Sequence, residues 1–416
     1  MRRRLRHLGN SRLAAVIAIV VITPLIVAAL VVVGGRDDDA KKSRAGAAPA
    51  RPKSFLVDLI PPKKGQPRRS APEDKPRLPR PVARRLSKLS IEQKVAQVFL
   101  VGFQGSDLTA PVFVRLRRLG LGGIVVGTEN YTDSVQLGSL AGEARVIADQ
   151  EKHVMPWVMA EQEGGEFNVF ADLPPATAAS RLPGVDQAVK EADLAGRTLR
   201  PLGVNGVLAP VVDVPPGTDA AVGPRAYSDD PEAVAAYAEG VVSAYRRAGV
   251  LSVVRHFPGL GSAAQSTREG PATVGLSLKE LGERDLIPFR AAIDAGAPAV
   301  LLSNALYAPD DFVVPGSLSR RIATDLLRDK LGFQGVAITD DLADPAITAL
   351  GPVPDSAVKA LGAGADLLYI SGGQADQESA YASVLSAVKR GDVSRARLDE
   401  AVGRVLSVKL DYGLLR

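Results

Sequence analysis

Six short apolar runs in this 416-residue chain end in polar residues with chemical potential. They are Glu161-Gln162-Glu163-Gly164-Gly165, Asp213, Arg255-His256, Ser303-Asn304, Thr339-Asp340-Asp341 and Ser371-Gly372-Gly373. Carboxylates beside guanidinium, imidazole and amide groups suit sugar chemistry. Arg, Asn, His and Glu can hydrogen-bond hydroxyls. A buried Asp can attack an anomeric carbon, and a second acid can protonate the departing oxygen. Any one cluster could be only the polar start of a loop, Asp213 and Ser371 above all. Six that converge on one mouth fit that explanation less well. Two of the three histidines, His7 and His153, lie outside these clusters and only His256 lies within them, so a histidine-based metal site is not expected. EQEGGE is too short and too acidic to cradle phosphate. The chain has no cysteine, which excludes disulfides and thiolate catalysis. No cofactor is implied.

The elements that would bring these residues together are read from hydrophobic pattern. Eight β-branched runs recur: Val95–Phe103, Gly123–Val126, Trp157–Ala160, Val204–Val214, Leu251–Val254, Ala299–Leu302, Val336–Ile338 and Asp366–Ile370. Each reads as a buried parallel strand. Helical stretches separate them. Ser90 with Gln93 and Ser277 with Glu280 have capping-box spacing, and Asp230-Pro231 opens an Ala-rich helix. Gly249 and Gly296 mark helix ends, and a last amphipathic helix runs from about Arg395 to Leu410. Eight regular units in the region 83–416 predict an α/β fold, a (β/α)₈ barrel, in preference to a doubly wound open sheet. Its active site would lie at the C-terminal ends of the strands.

The N-terminal part is different. Residues 1–80 hold eighteen Lys/Arg against six Asp/Glu, a net charge of +12, and the remainder carries −7. The sequence pI of 9.3 thus reports a basic leader, and no nucleic-acid partner is inferred. After a basic segment, residues 1–12, comes the apolar run Leu13–Val33. It has the length of roughly 20 residues that spans a bilayer. A transmembrane anchor over 13–35 is expected, with the N-terminus cytoplasmic and the barrel outside the membrane. A cleaved signal peptide is the alternative, and it too exports the domain. Residues 36–82, rich in Pro, Lys and Arg, read as a disordered linker. Ser54–Ile60 is a short apolar island within it.

RHFPGLG, starting at Arg255, resembles the KHFPGHG motif of family 3 glycoside hydrolases. The likeness is strongest to the single-domain β-N-acetylglucosaminidases of peptidoglycan turnover. AEQEGGEF resembles the family's DQEGGR segment. LGVNGVLAPVVDV and VGPRAYSDDPEAV resemble its next two segments in order, and LGFQGVAITDDL resembles the segment that carries the nucleophile. The resemblance spans about Leu86 to Leu415. It implies an enzyme, a retaining glycosidase acting on an N-acetylglucosamine-containing carbohydrate of the cell envelope. It implies Asp340 as nucleophile. It also implies Arg225, Arg255 and His256 as substrate-binding residues, with Glu161 where the family usually has a sugar-binding Asp and Asn304 where a His is frequent. The family's acid/base Asp and His fall, without gaps, on Ser266 and Arg268. Arginine stays protonated and cannot shuttle protons near neutral pH. Glu269 is then the tentative acid/base. The runner-up reading is a membrane-tethered glycan-binding protein without catalysis.

Overall fold

The computed structural model describes residues 78–217 and 220–415. The expected membrane anchor, the island Ser54–Ile60 and most of the expected linker lie outside the described residues. Among those described, no helix is long and apolar enough to cross a membrane. The helix Arg80–Lys88 opens the described part and already buries Val82, a residue that composition alone assigns to the end of the linker.

Eight parallel strands form one sheet: β1 Phe99–Val101, β2 Gly123–Val125, β3 Trp157–Ala160, β4 Gly206–Val207, β5 Leu251–Phe257, β6 Ala299–Leu302, β7 Val336–Thr339 and β8 Leu368–Ile370. Strands from β1 to β7 pair with their sequence neighbours, and β8 returns to pair with β1. Between β7 and β8 a parallel bridge, Ile338 with Leu367, brings the ends together. The Thr339 N–H donates to Leu367 O at 3.0 Å, and the Tyr369 N–H donates to Thr339 Oγ1 at 2.9 Å. The expected eightfold barrel is therefore the observed one.

Several strand limits differ from expectation: β5 runs on to Phe257 and β8 begins only at Leu368, and the differences are largest at β1 and β4. Val95–Gln97 belongs to the helix Ile91–Gln97, whose capping box between Ser90 and Gln93 is complete. That helix runs into β1 through Val98, and the one polar residue at the junction, Gln97, is itself buried, so a single strand-like run covers both elements. In Val204–Val214 only Gly206–Val207 forms a regular ladder, and Val211 makes an isolated bridge to Arg255. The Ser277/Glu280 box and the Asp230 cap form as their spacing predicts.

The inside of the barrel is filled by alternate strand residues, among them Leu100, Trp157, Met159, Leu251, Val253, Leu301 and Ile338. Their neighbours on the other face pack against the surrounding helices. The helix Arg395–Asp411 contributes Val405 and Val408 to the inner cluster and so lies across one end of the barrel. Its Lys409 is fully buried there, donating to Gln97 Oε1 at 3.0 Å and Gly122 O at 2.8 Å. Burial pushes that ammonium down to about 7. The other end of the barrel carries the polar loops.

Candidate active site

At the end of β3 stand Glu161 and Glu163. Arg225, in the short 3₁₀ turn Gly223–Arg225, grips Glu163 bidentately: Nε donates to Oε2 at 2.7 Å and Nη2 to Oε1 at 2.8 Å. Arg255, on β5, also pairs with Glu163, and its side chain is only 1% exposed. One carboxylate thus anchors two guanidinium groups, the arrangement that offsets the cost of burying them. Glu161 faces Arg255 at 3.5 Å and also pairs with Arg268. Burial works to raise the Glu161 carboxyl, but Arg255, Arg268 and Arg225 together hold it well below the usual carboxylate range. The EQEGGE motif by itself gives Glu163 no role. The available signal is its position two residues from Glu161, on the same side of an extended chain.

His256 and Asp213 form a second unit. Asp213 Oδ2 lies 2.7 Å from His256 Nδ1. Its Oδ1 accepts from the backbone N–H groups of His256 at 3.2 Å and Leu260 at 2.7 Å. Asp213 is fully buried and so fixes both the imidazole and the start of the β5 loop. That loop also packs tightly. Gly259 has φ +131°, and an added Cβ would lie 2.5 Å from Asp285 Cβ.

The loop after β7 holds Asp340, Asp341 and Asp344, each less than a tenth exposed. Asp340 Oδ1 accepts from the Asp341 N–H at 3.0 Å. Asp341 Oδ1 accepts from the N–H groups of Ala343 and Ser371, both at 2.9 Å. Burial, reinforced by Asp340, raises the Asp341 carboxyl. Asp340 is close enough for its charge to act on Arg225 and Arg268.

Most residues singled out from sequence therefore meet at one mouth: Glu161, Arg225, Arg255, His256 and Asp340. Asn304 lies beneath them. Its Nδ2 donates to Asp341 O at 2.7 Å, and its Oδ1 accepts from Ser317 Oγ at 2.6 Å. It supports the β7 loop. Arg268 reaches into the mouth, although sequence comparison shows at that position only the loss of a histidine. Glu269 is not brought in. It is exposed, and its carboxylate makes no hydrogen bond or ion pair with the described residues. Among the described residues, no group of three histidine or carboxylate side chains is placed to hold a metal ion.

A mouth of paired carboxylates and guanidinium groups on a (β/α)₈ barrel has the character of a carbohydrate-processing site. Residues 90–408 match the model of the glycosyl hydrolase family 3 N-terminal domain. A beta-hexosaminidase of Stenotrophomonas maltophilia (strain K279a) is 32% identical over 317 residues, which cover 74% of this chain and 91% of the relative. The solved family 3 β-N-acetylglucosaminidase of Paenibacillus sp. str. FPU-7 superposes with a TM-score of 0.75 at 32% identity, covering 78% of this chain and 63% of that one. The β-N-acetylhexosaminidase of Beutenbergia cavernae gives a TM-score of 0.70 at 29% identity, covering 77% and 99%. The chain belongs to glycosyl hydrolase family 3, a family of glycosidases.

Proposed function

We propose that the chain is a retaining β-N-acetylhexosaminidase that cleaves N-acetylglucosamine-containing glycans through a glycosyl-enzyme on Asp340. The observation that carries this reading is the Asp340 carboxylate at the end of β7, in one mouth with Glu161, Arg225, Arg255 and His256. The Asp341 N–H holds Oδ1, which leaves Oδ2 to attack the anomeric carbon. Arg225, Arg255 and His256 supply donors for sugar hydroxyls or the acetamido carbonyl. Glu161 supplies an acceptor that its arginine neighbours keep ionised. The activities named for the Stenotrophomonas, Paenibacillus and Beutenbergia relatives support the choice of sugar.

The basic leader followed by the apolar run Leu13–Val33 supports an extracytoplasmic barrel on a membrane tether, within reach of cell-wall glycans. Trapping tests the reading. A 2-fluoro or 5-fluoro N-acetylglucosaminyl fluoride analogue should leave a covalent adduct on the Asp340 peptide by mass spectrometry. Asp340→Asn should abolish turnover of an aryl N-acetylglucosaminide. No adduct and no turnover over a panel of activated glycosides, with muropeptide still bound in calorimetry, would make the protein a binder instead.

A further inference from the structure

The reaction proposed above needs a proton donor, and the loop after β5 supplies none at Ser266 or Arg268. We propose that Asp344 protonates the leaving group, a role that rests on the nucleophilic role of Asp340.

The placement is structural. Asp344 lies four residues after Asp340 on the same loop. Its N–H donates to Asp341 O at 3.1 Å, and its own carbonyl accepts from the N–H groups of Ile347 at 2.9 Å and Thr348 at 3.0 Å. The backbone is thus held on both sides. Asn304 Nδ2, from the β6 loop, lies 3.4 Å from Asp344 Oδ2 while donating to Asp341 O. The Ala346 N–H donates to Thr267 O at 3.1 Å, which ties the β5 loop to the β7 loop and sets Arg268 beside the carboxyl. The groups facing Asp344 are therefore Asp340 and Asp341 from its own loop, Arg268 from the β5 loop and Asn304 from the β6 loop.

The electrostatics agree with this geometry. Burial, then Asp340 and Asp341, push the Asp344 carboxyl up to about 8, against the opposing pull of Arg268 and Asn304. At neutral pH Asp344 is mostly protonated and close enough to Asp340 for that charge to act on it, the division of labour that one nucleophile and one acid require. In the first step Asp340 Oδ2 bonds to the anomeric carbon. The glycosidic C–O bond breaks, its electron pair stays on the leaving oxygen, and that oxygen takes the Asp344 proton. In the second step the Asp344 carboxylate takes a proton from water as the water oxygen bonds to the anomeric carbon. The bond to Asp340 breaks, and its electron pair returns to the carboxylate.

The test compares wild type, Asp344→Asn, Glu269→Gln and Asp340→Asn on chitobiose and on 2,4-dinitrophenyl N-acetylglucosaminide. Asp344→Asn should lose about 10²–10⁴-fold in kcat/KM on chitobiose. On the activated substrate it should show a burst, with glycosyl-enzyme accumulating on Asp340, and azide should restore turnover as the glycosyl azide. The alkaline limb of the wild-type kcat/KM profile should lie near pH 8 and vanish in this variant. Arg268→Gln, which removes a charge that lowers Asp344, should move the limb upward. Unchanged chitobiose cleavage by Asp344→Asn overturns the proposal, as does azide rescue of Glu269→Gln. If Asp344→Asn does not fold, an alkaline limb unmoved by Arg268→Gln overturns it. Full activity of Asp340→Asn instead sinks the underlying reading, whatever Asp344 does.

Discussion

At the scale of single residues, Glu163 is the keystone of the mouth, since it answers both Arg225 and Arg255. Glu163→Gln keeps the shape and removes the charge, leaving the buried Arg255 to depend on Glu161 at 3.5 Å. Losing one partner of a buried ion pair costs about 3–5 kcal/mol. Chemical denaturation should show a loss of that size, and turnover of aryl glycosides should fall with it. Asp340, Arg255 and His256 are legible in the sequence as strand-end residues and Arg225 through the family resemblance, and the fold brings the four to one mouth. Their partners are not legible there. Motif position says which residue is present, whereas the pairing of Arg268 with Glu161 depends on the path of a loop, which has no periodicity to read. Asp344 escapes a reading of the sequence for the same reason. DDLAD shows three carboxylates, but only the fold says which of them share a low-dielectric pocket.

At the scale of elements, the β5 loop is held by contacts that a methyl group would break. At Gly259 a side chain would meet Asp285 and would also have to accept φ +131°, a region that L-residues rarely adopt. Gly259→Ala should therefore destabilise the fold by about 2 kcal/mol or more. It should also displace His256 from Asp213, read as a fall in denaturation midpoint together with a lower kcat. The helix ends and caps are legible because capping is local chemistry: Ser90 with Gln93 and Ser277 with Glu280 close as spacing dictates. The strand limits are not, because a buried helix end and a buried strand are equally apolar. For that reason Val95–Gln97 has the pattern of a strand, and Val204–Val214 has the pattern of one long strand although Gly206–Val207 alone is regular.

At the scale of the whole molecule, eight regular apolar runs are enough to predict the closed barrel, since βαβ units of one hand close readily at that number. The fold also carries a buried acid that the proposed chemistry does not use. Asp285 is fully buried, and neither of its carboxyl oxygens has a hydrogen-bond partner among the described residues. Burial, with Asp213 adding to it and Arg284 opposing it, pushes the carboxyl up to about 7. Its folded form holds the proton more tightly than the unfolded chain. Its contribution to stability is thus fully present below about pH 4 and is lost as pH rises through 7. Asp285→Asn should therefore raise Tm relative to wild type more at pH 8 than at pH 5, by thermal scans in matched buffers. Equal shifts at both pH values would contradict this.

The charges of the mouth can also be counted together. Arg225, Arg255 and Arg268 stand against Glu161, Glu163 and Asp340, three cations and three anions within a few side-chain lengths. When a sugar fills the site and displaces water, the field of these six groups largely cancels. Among these six groups no net charge is left over. A neutral amino sugar can thus dry the site at small electrostatic cost, and in the proposed first step the negative charge that bond formation removes from Asp340 reappears on Asp344 as it gives up its proton.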